Sequence, residues 1–283
     1  VGMLLCSPAG NDLLYDDSLP EQGRNFANKI WNAFRLVKGW EVDERKSQPE
    51  SSASAVKWME EVIKKAIASI DSDFRKFRIS EALMKAYRLL WDEFSGWYLE
   101  IIKPEYQKPV DKITLEATIS IFDRLMRIIH PFMPFITEEI WQLLIERKDR
   151  ESIMVSRVPE SKRYNRDLIG RFELIKETIT AIRAVRKDKD IPVRGNLVLC
   201  IRSAEKDIDR ELLPVLIKLG NLSEVKVTDR KMKGAASFMI KTTEYFIPLA
   251  SNLNVDKELI KIREELGYFK GFLASVMKKL DNE

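Results

Sequence analysis

Six side chains that can donate hydrogen bonds or positive charge, Arg24, Asn25, Asn28, Lys29, Asn32 and Arg35, fall within one stretch that carries no acid between Gln22 and Trp40. Guanidinium and ammonium groups bind phosphates, and side-chain amides can pair with base edges. At helical spacing Asn25, Lys29, Asn32 and Leu36 form one stripe, beside an apolar stripe of Phe26, Ile30, Ala33 and Val37. A helix with one dry face and one donor-rich face suits an RNA loop; the competing reading is an ordinary solvated face. A second basic cluster, Arg183, Arg186, Lys187, Lys189 and Arg194, surrounds the end of a later helix, where cations also complement the helix dipole.

Other chemistry is poorly supplied. His130 is the single histidine, set in the Pro- and Phe-rich corner His130 to Thr137, and reads as a buried, hydrogen-bonded structural residue. Glu138 and Glu139 are adjacent, so on a helix they point about 100° apart and read as helix-start charges rather than a catalytic dyad. Cys6 and Cys200 build no disulfide framework and, with one histidine, no four-ligand zinc site. Gly-rich phosphate loops, nucleophile elbows and paired metal motifs are absent from the sequence. The expectation is a segment with no catalytic residue, no metal and no cofactor of its own.

The chain has 283 residues, 45% hydrophobic and 33% charged, with 11 Gly and 11 Pro, which predicts long helices and excludes disorder. Its 48 basic and 44 acidic residues leave a charge of only +4, so local arrangement rather than net charge must identify a partner. With no apolar run of membrane-spanning length and no signal peptide, a cytoplasmic protein with no membrane contact is expected.

Periodicity gives the elements that position these residues. The first helix spans Gln22 to about Trp40, followed by a loop from Glu41 to Ser54. A second helix carries Met59, Ile63, Ala66, Ile70, Phe74 and Phe77 inward. A third, capped by Ser80, buries Leu83, Tyr87, Leu90, Phe94, Trp97 and Ile101 and stops at Pro104; a fourth opens at Pro109. Thr137 starts a short helix through Trp141 and Leu144. After Arg150 the pattern predicts a helix at Asn165 to Arg186, a strand at Asn196 to Arg202, a helix at Ile208 to Leu219, and strands at Val225 to Thr228, Ala235 to Ile240 and Glu244 to Leu249, the last two forming a hairpin. From Val255 the residues Leu259, Ile262, Leu266, Phe269, Leu273, Val276 and Leu280 trace a heptad seam that needs a partner helix. The expected fold is therefore mostly α with a small α+β unit: an antiparallel helical bundle, a small mixed sheet with helices, then the first helix of a coiled-coil arm. The expected division is a connecting segment at 1–20, the bundle at 21–150, the α+β subdomain at 151–252 and the arm at 253–283.

Several stretches together resemble one family. Gly23-Arg24-Asn25-Phe26 with Asn28-Lys29-Ile30-Trp31-Asn32-Ala33 is similar to the opening of the anticodon-binding domain of class I valyl-tRNA synthetases. Trp91-Asp92-Glu93-Phe94, Trp97-Tyr98-Leu99-Glu100, Lys103-Pro104 and the block from His130 to Trp141 resemble later signatures of the same enzymes, in the same order. Isoleucyl relatives commonly end in a cysteine-rich zinc module that two distant cysteines cannot make, whereas valyl enzymes of bacterial type end in a coiled-coil arm like the seam from Val255.

The resemblance implies the tRNA-recognition part of an ATP- and Mg-dependent valine-tRNA ligase whose catalytic and editing domains, with their HIGH and KMSKS motifs, lie outside this sequence, so the segment alone is expected to be inactive. It implies that the first helix faces the anticodon loop of valine tRNA, and that Lys29 and Leu36 occupy positions that contact it. Leu36 departs from the family, which has an aromatic there; Trp40 or Phe34 could supply the missing stacking. The expected tRNA-binding set is Arg24, Asn25, Asn28, Lys29, Asn32, Arg35 and Leu36, on a monomer. A reading from a different class is a helical adaptor that binds protein through its helices and tail.

Overall fold

In a computed structural model of the chain, the described residues are 1–5, 16, 18–160, 162–193, 195–203, 208–232, 234–249, 263, 266–273 and 277. They form two compact units, Val1–Ile175 with Asp209–Leu219, and Lys176–Ile208 with Gly220–Glu283. The protein is mostly helical with one small mixed sheet.

The first unit contains α1 (Gly2–Leu5), α2 (Ser18–Lys38), α3 (Glu50–Arg75), α4 (Ile79–Arg88), a π-helical segment Leu89–Tyr98 that runs on into α5 (Leu99–Ile102), α6 (Lys112–Ile129) and α7 (Pro134–Leu144). Short strands β1 (Val42–Asp43) and β2 (Val110–Asp111) pair in parallel between them. Its core is built where the apolar spacing of the helices predicts: Phe26, Ile30, Ala33 and Val37 of α2, Met59 and Ile63 of α3, and Phe122 and Met126 of α6 are all buried in one cluster. Trp58 of α3 stacks flat on Phe172 with ring centres 4.0 Å apart. Phe172 belongs to α8 (Arg166–Asp188), whose first turns bury Leu168, Ile169 and Phe172 in this unit and whose later turns bury Ile179 and Ile182 in the second.

The second unit holds β3 (Leu197–Arg202), β4 (Leu222–Thr228), β5 (Ala235–Ile240) and β6 (Thr243–Pro248), in the order β4-β3-β6-β5. The β3 and β4 strands are parallel; β3 with β6 and β5 with β6 are antiparallel. The β5–β6 hairpin turns through Lys241 and Thr242, and Lys241 has φ 51°, which such tight connections demand. A further helix, α9 (Leu213–Gly220), lies between β3 and β4 in sequence.

The structure corrects several sequence expectations. The loop after Trp40 is shorter, because Pro49 presets the entry to α3 at Glu50, and Ser51, Ser52 and Ser54 are buried helical residues. Phe77 is not on the buried face of α3: the helix stops at Arg75, and Phe77 is 84% exposed at φ 57°. Ser80 lies inside the first turn of α4 and does not occupy its cap position, which is Arg78. Pro109 precedes β2 rather than opening α6; Asp111 caps that helix by accepting a hydrogen bond from the Thr114 N–H at 2.7 Å. Pro134, not Thr137, opens α7, and the buried Thr137 hydroxyl donates back to the Met133 carbonyl at 2.8 Å. The π-helical turns shift the inward face so that Tyr98 is fully buried while Trp97 is half-buried. Most of the heptad seam lies outside the described residues; 266–273 are helical, with Leu266, Phe269 and Leu273 exposed. No described helix is long and apolar enough to cross a membrane.

Candidate nucleic-acid interface

With Phe26, Ile30, Ala33, Phe34 and Val37 turned into the core, α2 leaves Arg24, Asn25, Asn28, Asn32, Arg35 and Leu36 exposed and Lys29 half-exposed. From Arg24 to Leu36 this face spans about 18 Å, so the seven residues line a track rather than one pocket. Arg24 is engaged with Glu21 of its own helix at 2.8 Å, both exposed. The Lys29 ammonium sits 5.3 Å from the centre of the Trp91 ring. Trp91 in turn stacks on Tyr87, whose ring lies tilted against Phe26. A partly buried aromatic ladder rooted on Phe26 therefore fixes where the Lys29 charge stands.

Of the seven, Arg35 and Leu36 line a concave site. Together with Gly39, Trp40 and Glu41 they line one side of a cleft of about 440 Å³, and Lys103 to Lys108 form the other. Local chemistry builds both walls. The Gly39 N–H bonds the Arg35 carbonyl at 3.0 Å and ends α2, and a Cβ at Gly39 would lie 3.1 Å from that carbonyl oxygen. The Val110 N–H donates to the Glu41 carbonyl at 2.8 Å, tying the two walls through the β1–β2 pair. Across the cleft, Pro104 stops α5, and Gln107 reverses the chain at φ 60°. Tyr106 projects from this loop, 89% exposed.

Two lysines from elsewhere grip the loop at its ends: Lys46 donates to the Pro109 carbonyl at 2.7 Å and Lys218 to the Lys103 carbonyl at 3.1 Å. Burial pushes the Lys218 ammonium below the ordinary lysine range, and the Lys46 charge pushes in the same direction. The hydrogen bond from Lys108 holds Glu105 below the usual carboxylate range. Arg35, Lys103 and Lys108, with Lys46 and Lys218 behind, outnumber Glu41, Glu100 and Glu105. A cleft with cations around it and Tyr106, Trp40 and Leu36 at its surface can hold phosphates and cover the flat face of a base.

Tyr106 of this cleft lies off every periodic stripe; its signal in the sequence is an aromatic enclosed by lysines and prolines in Lys103-Pro104-Glu105-Tyr106-Gln107-Lys108-Pro109. Of the two aromatics offered in place of Leu36, Trp40 lines the cleft, while Phe34 is buried against Trp31 and cannot reach a ligand. In the second basic cluster, Arg186 is buried and spent on backbone carbonyls, and Arg194 lies outside the described residues. The ring Nδ1 of His130 bonds the Thr137 hydroxyl at 2.8 Å, a structural contact on a half-buried side chain. Burial works against ionising Glu138, but hydrogen bonds from Ser152, Gln142 and the Ile153 N–H outweigh it and hold the carboxylate below its usual range, as part of the scaffold. Cys200 is buried and its thiol pushed up by that burial, so it is a poor nucleophile. Among the described residues no cluster of metal-ligating side chains occurs.

A family model described as the anticodon-binding domain of tRNA ligase matches residues 56–201, which include the Lys103–Lys108 wall of the cleft. The whole chain is 52% identical to a valine–tRNA ligase of Parabacteroides distasonis, 49% to one of Phocaeicola vulgatus and 48% to one of Porphyromonas gingivalis, covering 32% of each. The chain thus spans about a third of the length of the curated relatives it matches. With half of its residues under that family model and its whole length aligned to these ligases, the chain belongs to the family of tRNA-ligase anticodon-binding domains.

Proposed function

We propose that this chain is the tRNA-recognition part of a valine-tRNA ligase, which in full length attaches valine to tRNA(Val) with ATP and Mg in the cytoplasm. The segment itself binds tRNA without catalysing the reaction. The observation that carries this reading is the cleft at the end of α2, where Tyr106, Trp40 and Leu36 stand among cations. In this reading an unpaired anticodon nucleotide enters the cleft and lies against Tyr106, while Arg35 and Lys108 neutralise flanking phosphates. The loop backbone then follows the α2 track past Asn32 and Lys29 towards Asn28, Asn25 and Arg24. The helices over 21–150 act as a class I anticodon-binding bundle, the α+β part over 151–252 as a spacer, and residues 253–283 as the start of a coiled-coil arm along the tRNA, all within a monomer. ATP and Mg serve the full-length enzyme.

The test is Lys29→Ala combined with Asn32→Ala, titrated with a hairpin holding only the anticodon stem and loop of valine tRNA. Affinity should fall roughly tenfold, on the order of 1.4 kcal/mol. Folding stability should change by no more than about 1 kcal/mol, since Asn32 is exposed and the Lys29–Trp91 contact is half-exposed. Unchanged affinity would take the RNA off α2.

A further inference from the structure

The turn between α3 and α4 reads Arg75-Lys76-Phe77-Arg78, and it is built unlike an ordinary solvent turn. Phe77 is 84% exposed yet held at φ 57°, a conformation that bulky residues avoid and that glycine or asparagine would adopt more cheaply. The turn is pinned by three backbone bonds: the Lys76 and Arg78 N–H groups donate to the Asp73 carbonyl at 3.0 and 2.9 Å, and the Phe77 N–H to that of Phe74 at 3.0 Å. Phe74 itself is anchored by stacking on Phe132, with ring centres 5.7 Å apart. The ring of Phe77 is therefore presented to solvent on a fixed support.

The charges around it are sorted in the same sense. Of the nearby acids, Asp71 pairs with Arg75 at 3.0 Å and Asp73 with Lys85 at 2.5 Å, while Glu81 stands exposed in the first turn of α4. Lys76 and Arg78, both exposed, take part in no ion pair among the described residues. An exposed aromatic ring between free cations matches an unpaired base with its adjoining phosphates, since the ring covers the base and the cations displace counterions. A protein partner would have to desolvate those cations and meet them with acids of its own.

The position supplies scale. The continuous helical path from Ile79 to Ile102 leads from this turn to Lys103 in the cleft wall, roughly 35 Å along the helix axis. That is about ten base steps of duplex, too far for the same RNA loop to touch both. We propose that the Arg75–Arg78 turn is a second RNA contact, which takes an unpaired nucleotide of the folded tRNA outside its anticodon loop. This rests on the tRNA-binding reading above and adds a site to it.

The experiment compares a whole valine tRNA transcript with the anticodon hairpin as probes, using the 283-residue chain, Phe77→Asn, and the pair Lys76→Gln with Arg78→Gln. Asparagine suits the positive φ, so the first variant will fold, and melting curves check both. The expected result is a loss of roughly tenfold in affinity for whole tRNA with each variant. The lysine–arginine variant should also lower the slope of log affinity against log salt by about 1.5 to 2. Hairpin affinity should not move. Equal effects on the two probes, or no effect on whole tRNA, would overturn the proposal, and so would self-association of the chain that Phe77→Asn abolishes while RNA binding is unaltered. Failure of the unsubstituted chain to bind the hairpin would instead overturn the anticodon reading, and the whole-tRNA arm would still score the turn.

Discussion

Arg186→Met should destabilise the second unit by about 3 to 5 kcal/mol, because it removes one charged donor from four backbone carbonyls. The Arg186 guanidinium is buried and donates to four carbonyls: Pro192 at 3.0 Å, Gly195 at 2.8 Å, and Gly220 and Asn221 at 3.0 Å each. These carbonyls lie on the segments that lead into β3 and β4, so one side chain sets the spacing from which both parallel strands start. Methionine fills similar space but leaves the acceptors facing carbon, and each such orphan costs roughly 1 to 3 kcal/mol before relaxation. Arg186→Lys should recover only part of the loss, because one ammonium cannot reproduce a planar fork that reaches two pairs of oxygens. Amide hydrogen exchange in Leu197–Arg202 and Leu222–Thr228 reads the effect locally, which is needed because a chain of two units need not unfold in one step. A loss below about 1 kcal/mol would mean that water replaces the guanidinium without difficulty.

For binding, the largest single-residue effect is expected at Tyr106. Tyr106→Ala should weaken the anticodon hairpin by about 1 to 3 kcal/mol, the range measured for one stacked base. Tyr106→Phe should keep most of the affinity, because stacking uses the ring face and not the hydroxyl. At 89% exposure the side chain contributes little to folding, so the melting temperature is a clean control. The loop should keep its shape in the variant, since Lys46 and Lys218 hold its backbone at Pro109 and Lys103. Isothermal titration of the three proteins separates the outcomes, and equal affinities would remove Tyr106 from the interface.

What was legible in the sequence was what repeats. The apolar spacing of Phe26, Ile30, Ala33 and Val37 placed the buried face of α2, and with it the outward stripe of Asn25, Lys29, Asn32 and Leu36. The hairpin at Lys241 and Thr242 was equally readable, because two strand-like runs met at a gap of turn length. What escaped was set by contacts distant in sequence. Phe77 continues the spacing of Phe74, and only the termination of α3 at Asp73's carbonyl throws it outward. Asp111 and Pro109 both suit a helix start, and the pairing of β2 with β1 decides between them. The π-helical segment has no periodic signature of its own, so α-helical spacing points Trp97 inward where Tyr98 lies buried. Arg186 looked like one cation among five at a helix end, and its burial became visible only once Gly195 and Gly220 stood beside it. The cleft was half readable for the same reason: Arg35 and Leu36 lie on the periodic face, but Tyr106 sits some 70 residues away on a loop brought in by the β1–β2 pair.

The central claim, that the cleft at the end of α2 reads an anticodon loop, is tested most directly by competition between two hairpins. They share the anticodon stem of valine tRNA, and one carries its natural loop while the other carries a loop of altered sequence. The expected result is a preference of roughly tenfold or more for the valine loop, steep weakening of both complexes with salt, and loss of the preference in Tyr106→Ala. Equal affinity for the two hairpins, unchanged by Tyr106→Ala, would contradict the account.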